Sequence, residues 1–425
     1  RRSARRCFHC RIEARRLSTR MADTFRSLET RNAKLFFSGL LVSNIGTWMQ
    51  FTASSLLIYR LTGKATDLGL NVMFQFLPML LLGAWAGALS DRYNRLRLTL
   101  FTQSGLAIQA FALGILDLTN NISLPAVYVL SLILGVVNAF DNPARRGLVI
   151  ELVEPKNISN AVSLNTAAMT GSRIFGPALA TLLVGPCGTG WLFIFNGISF
   201  AAILFSIMSM DKTQLYPAPR SAPGGKPVRE ALSYIRQDQS LFAVFIVLTI
   251  VSTFAFNYSV VLPKLADQRW GSDSGFGWLL AMVSVGSLLG SLFTAGRAVV
   301  TVRYFAVGCV VLAVGNIAVA WSPNLWCAFI AAVPLGAGGA MFISGANSIS
   351  QVQAPADMRG RILSLTAVAF LGSTPIGGPI TGWVADHVSI EWALGYGGVI
   401  SLASVLVLYV MLPAKKEEPQ QEVAV

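Results

Sequence analysis

The sequence predicts an all-α protein that crosses a membrane twelve times. The chain is 54% hydrophobic, only 12% of its residues are charged, and its mean hydropathy is +0.59. Soluble domains carry roughly 25% charged residues, because a surface in water needs them. A chain with about half that share is therefore expected to place most of its surface in lipid.

Twelve apolar stretches are long enough to cross the hydrocarbon core of a bilayer, which takes about 20 residues of helix. Backbone N–H and C=O groups in hydrocarbon must bond within their own segment, so each stretch is expected to be helical. The predicted spans are 35–59, 66–89, 97–118, 125–144, 160–184, 189–210, 241–264, 274–296, 303–321, 324–346, 361–385 and 392–412.

Lysine and arginine are unevenly distributed between the loops. If both termini are cytoplasmic, 20 basic residues lie on the inner side and four on the outer side, without counting the first 20 residues. Cytoplasmic loops of membrane proteins carry such an excess. The sequence therefore predicts a multi-pass protein of the cytoplasmic (inner) membrane with both termini inside.

The longest loop between spans divides the chain into halves of six spans each. It begins rich in proline and glycine and continues as a short amphipathic helix, as expected of a linker. The first 20 residues hold eight arginines and one glutamate, and we expect them to be a disordered leader or upstream sequence. The predicted organisation is a basic leader at 1–33, a six-helix bundle at 34–210, a cytoplasmic linker at 211–239, a second six-helix bundle at 240–413 and a cytoplasmic tail at 414–425.

The two halves contain a similar segment. SLNTAAMTGSRIFGPALA (163–180) and SLTAVAFLGSTPIGGPITG (364–382) both begin Ser-Leu and reach a Gly-Pro after a similar interval. An internal repeat of six helices is typical of secondary transporters. The repeat favours transport over the other functions open to a polytopic membrane protein.

The loop between spans 2 and 3 reads GALSDRYNRLRL and contains Gly87, Asp91, Arg92 and Arg95. This loop resembles the hallmark motif of the major facilitator superfamily, in which a glycine is followed by Asp-Arg and spaced basic residues. Gly87 would let two helices approach closely. Asp91 would lie against a helix N-terminus, where a negative charge is favoured. We expect the four residues to form a latch that holds one conformation, although a plain basic loop would also satisfy the charge bias.

We expect two Gly-Pro pairs to kink their helices, because proline removes a backbone hydrogen bond. They are Gly176-Pro177 in span 5 and Gly378-Pro379 in span 11. The first pair resembles a motif of drug–proton antiporters. Arg173 lies one turn before it, about 20 Å into the span by helical rise. A charge at that depth needs a cavity or an acid. Arg173 is therefore either a transport residue or the structural partner of Asp141 or of another acid.

Acids within the spans are scarce. Asp141 and Asp67 are the candidates for proton coupling, and each could instead be a loop or latch charge. Asp386 and Glu391 are expected in water at the outer helix ends. Polar and aromatic residues of the spans are candidates for lining a substrate cavity, or else for bonding helices together: Asn44, Trp48, Asn138, Asn165, Asn257, Tyr258 and Asn347.

The stretch FDNPARRGLVIELVEPKNISNAVSLN is similar to the bacterial branch of the superfamily that contains enterobactin exporters and macrolide and multidrug efflux proteins. The resemblance implies two pseudo-symmetric six-helix bundles that export a hydrophobic or amphipathic small molecule by proton antiport. A nutrient importer of the same fold and a non-transporting receptor or assembly factor are the alternatives. The chain has no Walker or Rossmann motif, so we expect no enzyme activity, no metal, no cofactor and no nucleic-acid partner. Membrane lipid, protons and a small-molecule substrate are the expected partners of a monomer.

Overall fold

The computed structural model describes residues 26–216, 227–272, 275–297, 299–355 and 358–412. Within these ranges it describes every side chain except those of Ala84, Asp91 and residues 227–229. The first 25 residues of the predicted leader, part of the predicted linker and the predicted tail lie outside the described residues.

The described residues are almost entirely α-helical, as the hydropathy predicts. Fourteen α-helices are joined by short turns and by short 3-10 helices. They are α1 (Arg31–Thr62), α2 (Ala65–Arg92), α3 (Arg95–Leu118), α4 (Leu124–Glu151), α5 (Ile158–Met208), α6 (Pro227–Gln237), α7 (Gln239–Ala255), α8 (Tyr258–Trp270), α9 (Gly275–Ala295), α10 (Val302–Ala320), α11 (Leu325–Gln353), α12 (Arg359–Leu371), α13 (Thr374–His387) and α14 (Ile390–Met411).

Ten helical segments of the described chain are long and apolar enough to cross a membrane, which confirms an all-α membrane protein. The longest contains α5, whose 51 residues would extend ~75 Å as one straight helix. Its backbone leaves the helical region at Gly188, with φ 77° and ψ 171°, a conformation that glycine adopts readily. Each side of Gly188 is long enough to be a span of its own. The 32-residue α1 is not among the ten, and the count of twelve remains a prediction.

The described residues form two compact units. Unit 1 comprises those within Arg1–Ser54 and Leu81–Ala222, and unit 2 those within Ser55–Leu80 and Pro223–Val425. The segment 55–80, which holds the end of α1 and the start of α2, therefore packs with the C-terminal part of the chain. The predicted bundle boundaries assign this segment to the first bundle.

Unit 1 is held together by an apolar core and a polar cluster. Phe36, Leu148 and Ile203 are among the fully buried side chains of the core. In the cluster, the Gln50 amide donates to Gln109 over 3.0 Å and accepts from Asn196 over 2.7 Å. These bonds join α1 to α3 and α5 at buried positions, where polar side chains need partners.

Unit 2 contains very close helix packing around glycines. A Cβ built at Gly308 would lie 2.8 Å from the amide nitrogen of Phe342, so α10 and α11 touch through their backbones. The amphipathic helix expected in the linker is α6. Its apolar face, with Ala231 and Ile235, packs on Leu241 at the start of α7.

Candidate functional site

Asp141 of α4 is a buried carboxylate in the middle of a polar network. Only 1% of its surface is exposed, and its Oδ1 accepts from the hydroxyl of Thr102 over 2.7 Å and the amide of Gln103 over 2.8 Å. Arg145 Nε lies 3.1 Å from Oδ2 and forms an ion pair with it. The geometry of this contact is not that of a hydrogen bond. Asp141 and Arg145 are four residues apart on one helix face, the spacing at which opposite charges meet.

Arg145 extends this network to α1. Its Nη1 donates to Oδ1 of Asn44 over 3.0 Å, and Asn44 is only 8% exposed. This bond fixes the orientation of the amide, because only the oxygen can accept from a guanidinium. The Nδ2 of Asn44 is then a buried donor without an acceptor among the described atoms.

Trp48 lies one helical turn beyond Asn44 on the same face of α1. The guanidinium of Arg173 stands over its ring, 4.8 Å from the centroid, in a cation–π contact. Within the described residues no acid lies close enough to form an ion pair with Arg173. The alternative in which Arg173 pairs with Asp141 is therefore wrong in this structure, where Asp141 pairs with Arg145.

Gly176 sets the distance between α5 and α1. A Cβ built there would lie 2.9 Å from the carbonyl oxygen of Ile45 and 3.0 Å from the amide nitrogen of Met49, and it would also collide with Cβ of Trp48. The absence of a side chain at Gly176 thus lets α5 bring Arg173 onto the Trp48 ring. The backbone of α5 stays helical at Pro177, and its departure is at Gly188.

The second Gly-Pro pair also lies at a close contact. A Cβ at Gly378 would lie 3.0 Å from the carbonyl oxygen of Gly69, where α13 meets the start of α2 within unit 2. Pro379 lies inside α13, and the break in this part of the chain comes earlier, at Gly372 between α12 and α13.

The other predicted cavity residues are scattered. In unit 1, Asn165 lies on the Arg173 face of α5 and makes a weak contact to Met169 over 3.9 Å, and Asn138 is partly buried in α4. In unit 2, Asn257 is buried at the break between α7 and α8, where its amide donates to the carbonyl of Thr253 over 2.5 Å. The remaining two, Tyr258 on α8 and Asn347 on α11, are partly buried.

A family model described as "Transmembrane secretion effector", within the major facilitator superfamily, matches residues 23–424. The chain belongs to this family. The staphyloferrin A transporter of Staphylococcus aureus is 22% identical over 386 residues, which cover 88% of this chain and 95% of that protein. The enterobactin exporter EntS of Escherichia coli is 25% identical over 245 residues, or 57% of this chain and 55% of that protein.

The fold agrees with that family. A solved structure of the nucleoside transporter NupG matches with a TM-score of 0.74 at 12% identity, over 90% of this chain and 100% of that chain. The resemblance to the major facilitator superfamily, in its siderophore and drug efflux branch, is confirmed. This member of the family is thus a multi-pass transporter of the cytoplasmic membrane for a small molecule, and not an enzyme.

The structure describes part of the predicted latch loop of this secretion effector. Arg95 Nη1 lies 3.0 Å from Glu151 Oε1 at the end of α4, and both side chains are largely buried. The Arg95 side chain passes over Gly147, where an added Cβ would lie 2.6 Å from its Cδ. Arg92 is exposed, and the side chain of Asp91 lies outside the described residues. A Cβ at Gly87 would meet no described atom within 4 Å, so the close helix approach expected there is not present.

Sequence reasoning missed a largely buried ion pair in unit 2 of the transporter. Lys264 Nζ of α8 lies 2.6 Å from Asp386 Oδ1 of α13, with the two side chains 11% and 10% exposed. Asp386 also accepts from the backbone N–H of Ala65 over 2.9 Å and of Thr66 over 2.8 Å, at the start of α2. The expectation that Asp386 lies in water is therefore wrong. Asp67, in the same first turn of α2, is partly buried.

Proposed function

We propose that this transporter exports a hydrophobic or amphipathic small molecule, siderophore-like or drug-like, by alternating access and in exchange for protons. The proposed direction and substrate class are supported by the branch in which its relatives lie, which includes a transporter of one siderophore and an exporter of another. Coupling to protons is supported by the structure of unit 1.

The buried carboxylate of Asp141 carries the proposal. Charged groups inside membrane helices are costly and mark ion or substrate pathways. Asp141 holds α3 and α4 together through Thr102 and Gln103 while it neutralises Arg145. A proton on Asp141 would remove that neutralisation and weaken the ion pair that holds the Arg145 side chain in place along α4. Proton binding thus changes the contact between Arg145 and Asn44 of α1, which couples protonation to the packing of three helices.

Inside-out membrane vesicles test both the direction and the coupling. With an acidic lumen, we expect the wild-type protein to accumulate at least one of enterobactin, staphyloferrin A and ethidium. Asp141→Asn is expected to lower this accumulation at least tenfold while counterflow without a pH gradient persists, because the amide keeps the shape but cannot carry the proton. Unchanged gradient-driven accumulation in Asp141→Asn would contradict the coupling, and uptake only by right-side-out vesicles would show an importer.

Glu154→Gln is the matched control for Asp141→Asn. Glu154 is an acid three residues after α4 whose ion pair with Lys156 is exposed, with the two atoms 2.6 Å apart. Exposed pairs contribute little to stability, and this carboxylate has no contact to the Arg145 network. We expect its accumulation to match the wild type.

We also propose that Asp91, Arg92 and Arg95 act as a latch, with Glu151 as the acid that Arg95 binds. Glu151→Gln is then expected to lower the rate of transport several-fold at saturating substrate while the substrate affinity stays within twofold, since the pair would stabilise one conformation and not the ligand. Rates and affinities measured in proteoliposomes decide this. A loss of affinity with an unchanged maximal rate would remove Glu151 from the latch.

A further inference from the structure

We define the α1–α5 subsite as Asn44, Trp48 and Arg173. The polar groups that it can offer to a ligand are all hydrogen-bond donors. Asn44 Oδ1 is already engaged by Arg145, which leaves only the Nδ2 group of the amide free. Arg173 can only donate. Among the described atoms neither group has an acceptor. Asn44 Nδ2 is buried, where donors in native proteins are nearly always satisfied, and Arg173 is partly buried.

The charge of the subsite is also unbalanced. The other partly buried arginine of the region, Arg145, is neutralised by Asp141 at 3.1 Å. Arg173, roughly 22 Å along α5 from its first residue, has an aromatic face and no described acid beside it. A cation–π contact of ~0.5–2 kcal/mol offsets only part of the cost of placing a charge in an apolar span. The subsite therefore carries one net positive charge that an anion would neutralise.

We propose that the α1–α5 subsite binds a carboxylate of the transported molecule. A carboxylate has two coplanar acceptor oxygens, which a guanidinium can bind with two parallel hydrogen bonds. Positions 44 and 48 lie ~6 Å apart on one face of α1, a span that a carboxylate bonded to donors on both sides can bridge. Trp48 supplies an apolar surface for the adjoining part of the same molecule.

This inference rests on the proposed export of an amphipathic small molecule and adds that the substrate is an organic acid. A preference for organic acids would distinguish this transporter from carriers of lipophilic cations. A cation would meet Arg173 without a compensating acid, and like charges in a low-dielectric site repel strongly.

Binding of 2-naphthoate and of its uncharged isostere 2-naphthamide to the purified full chain in detergent tests the subsite. We expect the wild type to bind naphthoate at least tenfold more tightly than naphthamide. Arg173→Gln is expected to abolish that difference by weakening naphthoate alone, and Arg173→Lys to keep part of it. Arg97→Gln removes the same charge from an exposed position of α3 and is expected to keep the full difference.

Two results would overturn the subsite. One is equal binding of the two probes by the wild type, and the other is an equal loss in Arg97→Gln, which would mean that only overall charge matters. If Arg173→Gln does not fold, the Arg173→Lys ratio decides: a preference for naphthoate that is reduced from the wild-type value supports the subsite, and an unchanged tenfold preference contradicts it, because the guanidinium would then play no part. This binding measurement needs no pH gradient and no vesicles. It therefore distinguishes a failure of the subsite from a failure of the proposed export.

Discussion

Asp386→Asn is expected to lower the free energy of unfolding of unit 2 by ~3–5 kcal/mol, the cost of removing one partner from a buried ion pair. Lys264 would keep its charge at a position where only 8% of the residue is exposed. The first turn of α2 would also lose its anion, because Asp386 accepts from Ala65 and Thr66 at a helix N-terminus. Equilibrium unfolding in mixed micelles measures the loss.

Two control variants separate charge from packing. The double variant Lys264→Met with Asp386→Leu leaves no uncompensated charge, so its loss is expected to be smaller than that of Asp386→Asn alone. Glu391→Gln breaks the pair with Arg269 at 2.9 Å, whose side chains are 28% and 30% exposed, and is expected to cost under ~1 kcal/mol. An equal loss in Glu391→Gln and Asp386→Asn would show that the buried pair has no special role.

The ion pair between Lys264 and Asp386 lies where two parts of the chain that are far apart in sequence meet. Tyr59, at the end of α1, donates to Asp267 of α8 over 2.6 Å. The segment 55–80 is thus bound to α8 through Asp267 and to α13 through Asp386. We expect Asp386→Asn to make the peptide bonds near Gly63 more accessible to protease, because this turn joins the two bound helices.

Hydropathy and charge distribution predict the helical fold well because they act locally along the chain. Each span needs ~20 apolar residues whatever its neighbours are, so the helices could be placed from composition alone. The break at Gly188 lies between the predicted spans 160–184 and 189–210, but the break at Asn257 lies inside the predicted span 241–264 and was not predicted. A helix that ends inside an apolar stretch leaves no mark on a hydropathy average.

The residues of the candidate site were predicted one by one, but their partners were not. Scarcity of charge in the spans singled out Arg173 and Asp141, and polarity singled out Asn44 and Trp48. Which acid meets which arginine depends on the rotation of each helix about its axis, which a sequence does not show. The four-residue spacing of Asp141 and Arg145 was a readable signal that would have given the correct pair. Lys264 and Asp386, which are 122 residues apart, offered no such signal.

Gly176→Ala and Gly171→Ala are expected to change stability in opposite directions, although both replace a glycine of α5. Alanine is the better helix former by ~1 kcal/mol, so Gly171→Ala should raise the unfolding temperature, since no described atom lies within 4 Å of the added Cβ. At Gly176 the Cβ would lie 2.9 Å from a backbone oxygen of α1, which cannot rotate away as a side chain could. Overpacking of this kind costs ~1–3 kcal/mol and exceeds the gain.

The variant at Gly176 also tests whether helix separation controls the α1–α5 subsite. Pushing α5 away from α1 would lift Arg173 from the Trp48 ring, which it now faces at 4.8 Å. We therefore expect Gly176→Ala to weaken 2-naphthoate binding at least fivefold, and Gly171→Ala to leave it unchanged. A stable Gly176→Ala protein with wild-type binding would mean that the two helices tolerate a wider separation, and that Gly176 is not what positions Arg173.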